Sequence, residues 1–276
     1  MKLVFVLCLL VSSLAFSNAD HLLLTEICDT PTAGEFIEIY NPTEVSISLT
    51  FVHLTDLYGD STCVEHFYPQ IALGTIDPQN SSDFLVKFPS GVDLVPGGVI
   101  VIAMSGSAFE TTYGVQADYD IMGTGSGATP MVVPANGFAG SSPGLTNSGE
   151  TVTMFWYDDT SDSDDLCYDI DYAVWGNDEG EFVDKSNIII NTSTYLNDTP
   201  EASQDAIYYT GHNYGMTFQR VDMDEGTEIL TGGNGVTGNN ETSENLSVTW
   251  LEGDPTPGTL YTALERETWG SIKSTF

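Results

Sequence analysis

Carboxylates are the side chains this sequence offers most freely for chemistry: 40 Asp and Glu stand against 6 Lys and Arg in 276 residues. Their densest run is Asp158-Asp159-Thr160-Ser161-Asp162-Ser163-Asp164-Asp165, continued by Asp169 and Asp171. A calcium ion takes about six to eight oxygen ligands, which alternate acids, hydroxyls and carbonyls of one loop can supply. Asp158, Asp162, Asp164, Asp169 and Asp171 are therefore the candidate calcium ligands. The segment lacks the glycine and distal glutamate of an EF-hand loop, and a solvated hairpin tip would have the same composition. A second acidic group, Asp222, Asp224, Glu225 and Glu228, leads into Gly233-Asn234-Gly235-Val236-Thr237-Gly238. That string spells Gly-x-Gly-x-x-Gly, but no βαβ unit surrounds it and the local charge repels a pyrophosphate, so its glycines read as loop formers. Gly140-Ser141-Ser142-Pro143-Gly144 spells Gly-x-Ser-x-Gly, yet Pro143 and a following strand replace the helix that a nucleophile elbow requires.

Other reactive residue types are sparse. His21, His53, His66 and His212 are scattered and no Cys-x-x-Cys occurs, so spacing argues against a zinc site. Arg220 lies in an apparent, half-buried strand beside Phe218 and Asp222 and is read as a structural salt bridge to one of the many acids. Trp156, Tyr157, Tyr172 and Trp175 fall in alternating strands and read as core, whereas Tyr208, Tyr209 and Tyr214 lie in a loop where they could meet a partner.

These groups must be positioned by strands. Val45, Ile47, Leu49 and Phe51 alternate with Ser46, Ser48 and Thr50, which predicts a half-buried strand. The same reading applies to 35–40, to 99–103 after Pro96-Gly97-Gly98, and to 151–157 after Asn147-Ser148-Gly149. Further strands are predicted at 22–28, 84–88, 168–175 and 216–222. Helical periodicity is nearly absent; only 260–272 suggests a short terminal helix. Two segments, 123–145 and 178–215, read as long surface loops. Together these features predict an all-β, immunoglobulin-like antiparallel β-sandwich with long loop insertions.

Met1-Lys2, nine apolar residues from Leu3 to Val11, and Ser17-Asn18-Ala19 have the form of a secretory signal peptide over 1–19, too short to span a membrane. Its removal takes away Lys2 and no acid, leaving 5 basic against 40 acidic residues, a charge of −35. Such a charge repels nucleic acid and anionic lipid, and no second apolar stretch predicts membrane insertion. Cys28, Cys63 and Cys167 remain, so an oxidising compartment favours one disulfide and one leftover thiol, with the pairing open. Sequons at Asn80, Asn191, Asn197, Asn240 and Asn245 are candidate glycosylation sites. The organisation expected is a signal peptide at 1–19, one domain over 20–260 and a short, helical tail at 261–276.

The strands also carry a resemblance. Leu24-Thr25-Glu26-Ile27, Gly34 to Pro42, Val95-Pro96-Gly97-Gly98, Leu145 to Val152, and Asp169-Ile170-Asp171-Tyr172-Ala173-Val174-Trp175-Gly176 resemble the lamin tail domain. Tyr195 to Pro200, Phe218-Gln219-Arg220-Val221-Asp222, Trp250 and Pro255-Thr256-Pro257-Gly258 are similar to its secreted bacterial branch. The resemblance implies an immunoglobulin-like sandwich and little about chemistry, since the fold serves as an accessory module in many contexts. With no coiled-coil rod, no basic nuclear-localisation run and a signal peptide instead, nuclear scaffolding and DNA binding are not carried over. The function expected is a secreted, glycosylated, non-enzymatic interaction or adhesion module whose loops contact an extracellular protein, a glycan or a cell surface, with calcium as the cation its acidic loops suit. The competing classes are a metal-dependent secreted hydrolase and a structural acidic protein of an extracellular matrix.

Overall fold

A computed structural model describes residues 19–59, 67–74, 81–160, 166–176, 181–190, 192–208 and 212–261. Nearly all of the expected signal peptide and tail, with Cys63, Asn80, Asp162, Asp164, Asn191 and Tyr209, lie outside the described residues. In chain order the strands are β1 (Leu23–Cys28), β2 (Phe36–Tyr40), β3 (Ile47–Ser48), β4 (Val52–Thr55), β5 (Phe84–Lys87), β6 (Asp93–Leu94), β7 (Val99–Ala103), β8 (Tyr119–Asp120), β9 (Thr129–Pro130), β10 (Phe138–Ala139), β11 (Gly149–Trp156), β12 (Tyr168–Gly176), β13 (Ile189–Ile190), β14 (Ser193–Thr194), β15 (Thr217–Arg220) and β16 (Trp250–Gly253). They build an all-β sandwich. One sheet runs β16-β15-β1-β2-β7-β8-β9, the other β10-β5-β4-β11-β12, and β3-β6 and β13-β14 are two-stranded ribbons. Pairing is antiparallel except at the β7-β8-β9 edge. Leu24, Ile37, Ile39 and Ile102 of the first sheet and Leu54, Val86, Val152, Met154 and Val174 of the second share one apolar core.

The 45–51 alternation does not form the expected strand. Val45 is exposed, its carbonyl held by the Asn41 amide, and a turn at Thr50 separates β3 from β4. Nor is 178–215 a bare surface loop: Val183, Lys185, Tyr195 and Ile207 are buried, and the Gln204 carbonyl accepts the Tyr172 hydroxyl of β12. Among the described residues, three short helices that strand periodicity did not announce, α1 (Tyr68–Ala72), α2 (Gly106–Tyr113) and α3 (Leu246–Thr249), lie among the strands.

The outer face of the first sheet is also covered. Glu26 and Glu38 face each other across β1 and β2, yet both are almost fully buried, because 254–259 crosses over them. Thr256 donates its N–H and hydroxyl to Glu26, and the Gly258 N–H donates to Glu38 at 2.8 Å. Burial, and then the neighbouring Glu26, raises the Glu38 pKa to about 7. The native state thus holds this proton more tightly than the unfolded chain, and ionising Glu38 costs stability as pH rises from the ordinary glutamate value toward 7. Glu38→Gln is accordingly expected to raise stability at pH 8 by on the order of 1 kcal/mol, and to change it little at pH 4. Urea melts of both proteins at the two pH values check this.

Candidate metal centre

The site is built on a buried ionic knot. Arg220 at the end of β15 is fully buried. Its Nη2 donates to both oxygens of Asp171 on β12 at 2.7 and 2.8 Å, its Nη1 to Glu244 at 2.8 Å, and its Nε to the Leu24 carbonyl of β1 at 2.8 Å. The guanidinium lies 5.0 Å from the Trp250 ring centroid. Burial pushes Asp171 up and Arg220 pulls it back, leaving it at about 6. The knot therefore ties β1, β12, β15 and β16 to one charged centre.

Against it sits a second layer that the knot does not satisfy. His21 precedes β1, Glu225 and Glu228 lie in the loop after β15, and Glu241 opens a 3-10 turn, Glu241–Ser243. His21, Glu225 and Glu241 are each at most 4% exposed, and one donor atom from each falls within 4.8 Å of the others. His21 Nε2 is 3.2 Å from Glu225 Oε2 and 3.9 Å from Glu241 Oε2. Glu225 is held at a left-handed φ of 50°, a strained conformation for a residue with a side chain, which local structure must enforce. Among the described residues no separate donor meets either carboxylate oxygen of buried Glu228 or Oε1 of Glu241, and the two carboxyls pair with each other.

Charge balance makes this layer incomplete. Asp171, Glu225, Glu228, Glu241 and Glu244 bring five carboxylates against Arg220 and His21, an excess of three even with the imidazole protonated. Uncompensated charge is not sustained in a dry interior; such groups bind protons or a cation. In the protonated solution, burial and then Glu225 push Glu228 to about 8, while burial and Glu228 hold Glu241 well above the carboxylate range. Burial alone would strip the proton from His21, but Glu225, Asp171 and Asp20 more than reverse it and carry its pKa to about 9.

A divalent cation offsets part of the same charge with the geometry at hand: it displaces the His21 proton, so the excess falls from three to two and the remainder stays as protons on the raised carboxyls. Two ligands on a tetrahedral ion at about 2.0–2.1 Å lie roughly 3.3 Å apart, the separation of His21 Nε2 from Glu225. His21 Nδ1 lies 3.2 Å from the Asp20 carboxylate, the outer partner that fixes a ligating imidazole. Glu228, whose carboxyl meets that of Glu241, stands by as a further oxygen donor. One imidazole with carboxylates suits zinc or manganese better than calcium, whose ligands are all oxygen. A pocket of about 250 Å³ lined by Asp20, Asp224, Glu225, Thr237 and Asn239 reaches the cluster at Glu225 and supplies an acidic path for the ion.

The glycine run has its use here. A side chain on Gly233 would collide with the backbone at Asn239 and Asn240, and one on Gly235 would come within 2.5 Å of Glu241 Oε1. These glycines let 239–241 close down so that Glu241 faces His21. Gly235→Ala is expected to weaken cation binding about 10- to 100-fold, the usual effect of disturbing a ligand's support, and calorimetric zinc titration checks it.

Of the candidate calcium ligands, the described ones, Asp158, Asp169 and Asp171, are each engaged separately. Asp158 accepts the N–H and hydroxyl of Thr160 in its own turn. Asp169 is taken by Lys185 and Tyr68, and Asp171 by Arg220, so both acids already have protein partners. Asp162 and Asp164 lie outside the described residues. Cys28 and Cys167 are both buried free thiols, so neither enters the expected disulfide. Of the described sequons, Asn197 and Asn245 are exposed, whereas Asn240 is buried with its amide donating to Thr199, which closes that site in the folded chain. Tyr214 is exposed; Trp175 and Tyr172 are core. Sequence spacing missed the metal cluster because His21 and Glu225 stand 204 residues apart.

No protein-family model matches the sequence, and no curated protein matches it. Among solved structures, the crystal structure of a DUF4876 family protein from Bacteroides thetaiotaomicron is similar, at 15% identity over 88% of this chain and 75% of that chain, with a TM-score of 0.48. So distant a likeness carries no functional argument.

Proposed function

We propose that this chain is a secreted, non-enzymatic interaction module of the lamin-tail type, an immunoglobulin-like sandwich whose N-terminal segment and 221–245 loop are locked together by a divalent cation at His21, Glu225, Glu228 and Glu241. Its loops then meet an extracellular protein or glycan. The observation that carries the metal part is the set of buried carboxylates, Glu228 and Glu241, facing His21 without enough donors or positive charge. Support for a structural rather than catalytic ion comes from burial: a catalytic zinc keeps an open position, whereas His21, Glu225 and Glu241 are each at most 4% exposed and the pocket touches the cluster at Glu225 alone. Support for secretion comes from the signal-peptide pattern at 1–19, and for the lamin-tail relation from the motifs of β1, β2, β11 and β12. The exposed sequons Asn197 and Asn245 fit a glycosylated surface.

A second reading, a metal-dependent hydrolase, is favoured by one feature, the pocket that meets the cluster at Glu225. It requires turnover of an ester or phosphodiester that chelation and Glu228→Gln both abolish.

Zinc titration followed by thermal melting tests the proposal. At about 100 times Kd, a ligand of the native state adds about 2.7 kcal/mol, which for a chain of this size raises Tm by roughly 5–10 °C. An unchanged Tm in zinc and in manganese would remove the cation from the account. Capture from extracellular fluid with the metal-loaded protein then identifies the partner.

A further inference from the structure

We propose that Lys185 and Asp169 condense into an intramolecular isopeptide bond, joining Nζ of Lys185 to Cγ of Asp169 and fastening the segment after β12 covalently to that strand. The two side chains are 0% and 3% exposed, and Nζ contacts Asp169 Oδ2 directly. Tyr68 completes a relay: Nζ donates to its hydroxyl at 2.8 Å, and the hydroxyl donates to Asp169 Oδ1 at 2.5 Å. The rings of Tyr68 and Tyr195 flank the amine, with centroids 5.4 and 5.6 Å from Nζ. Asp198 adds a further buried carboxyl, accepting the backbone N–H of Lys185.

A chain with only 6 Lys and Arg has placed two of them, Arg220 and Lys185, wholly in its interior. Burying an ion pair costs desolvation that its attraction only partly returns, and replacing both charges by one neutral amide removes that cost. Burial works to strip the proton from Lys185, and Asp169 and Asp198 more than reverse it, so Lys185 rests as the ammonium. Reaction runs through the neutral tautomer, reached by moving one proton from Nζ to Oδ2 along their direct contact. That transfer leaves the net charge of the enclosure unchanged.

The Nζ lone pair then attacks Cγ. Tyr68 takes the second nitrogen proton while giving its own to Oδ1, so the tyrosine is regenerated. Collapse of the tetrahedral intermediate restores the carbonyl and expels one oxygen with two protons as water. An ammonium and a carboxylate become an amide and water, with no oxidant or co-reactant. Fixed proximity and exclusion of water drive a step that free solutes do not take.

The sparse lysines give a clean test. After denaturation, reduction and removal of N-glycans, the purified protein is digested with a lysyl-specific endoproteinase, which cuts after Lys87, Lys185 and Lys273 only where the amine is free. The expected product is one species spanning 88–273, uncut at Lys185 and one water lighter than its sequence, while Asp169→Ala is cut there whether or not it folds. Separate 88–185 and 186–273 fragments of full mass from the wild type would overturn the proposal.

Discussion

Arg220→Met is expected to destabilise the protein by about 3–5 kcal/mol, because it leaves Asp171 and Glu244 buried without their cation. Methionine fills much of the volume and keeps apolar contact with Trp250, so the loss reports charge rather than a cavity. The sign with pH follows from the carboxyls. Asp171 and Glu244 sit at about 6 and about 7 even beside Arg220, and without it their ionised forms are less favourable still. Below pH 5 both hold protons and little uncompensated charge remains, so the penalty shrinks there and is full at pH 8. Urea midpoints of wild type and variant at both pH values measure it. A loss under 1 kcal/mol at pH 8 would show that the knot does not hold the strands.

Trp175→Ala is expected to cost a similar 3–5 kcal/mol by a different route. Trp175 is fully buried on β12, its ring 5.8 Å from Phe218 of the opposite sheet, and its indole N–H donates to the Thr146 carbonyl at 2.9 Å. Removing it opens a cavity across the sandwich and orphans a carbonyl, neither of which titrates. Its penalty should therefore stay level between pH 5 and 8, in contrast to that of Arg220→Met. If the two variants show the same pH slope, the assignment of one loss to charge and the other to packing is wrong.

The strands that could be read in the sequence are those whose turns and alternation agree. Pro96-Gly97-Gly98 stops one segment and Val99–Ala103 begins the next, and β7 occupies those residues. Asn147-Ser148-Gly149 likewise announces β11. The 45–51 alternation misled because side-chain-to-backbone bonds from Asn41 and Thr43 turn the chain, an influence that period-two counting ignores. Glu26 and Glu38 also escaped: 22–28 and 35–40 read as strands with no role for their acids, and only the fold shows 254–259 lying over them.

Arg220 was legible as a residue in need of a partner, since an arginine inside a half-buried strand has few other fates. Which acids it meets was not, with 40 to choose from. The metal cluster shows the same limit. Glu225 and Glu228 stood out in an acidic group, but His21 looked isolated and Glu241 was hidden among asparagines and threonines. Only the closure of 239–241 against Gly233 and Gly235 places Glu241 beside His21. The signal available in the sequence was the glycine run next to acids, whose close backbone approach brings Glu241 up to His21.

Metal content is the most direct measure of the account's centre. Wild-type protein, His21→Ala and Glu241→Gln are each stripped with chelator, equilibrated with zinc or manganese, dialysed, and analysed by elemental mass spectrometry. One ion per chain in the wild type, and none in either variant, is the result expected. Wild-type protein that retains no zinc or manganese, or variants that retain as much as the wild type, would contradict a cation held between His21 and the 221–245 loop.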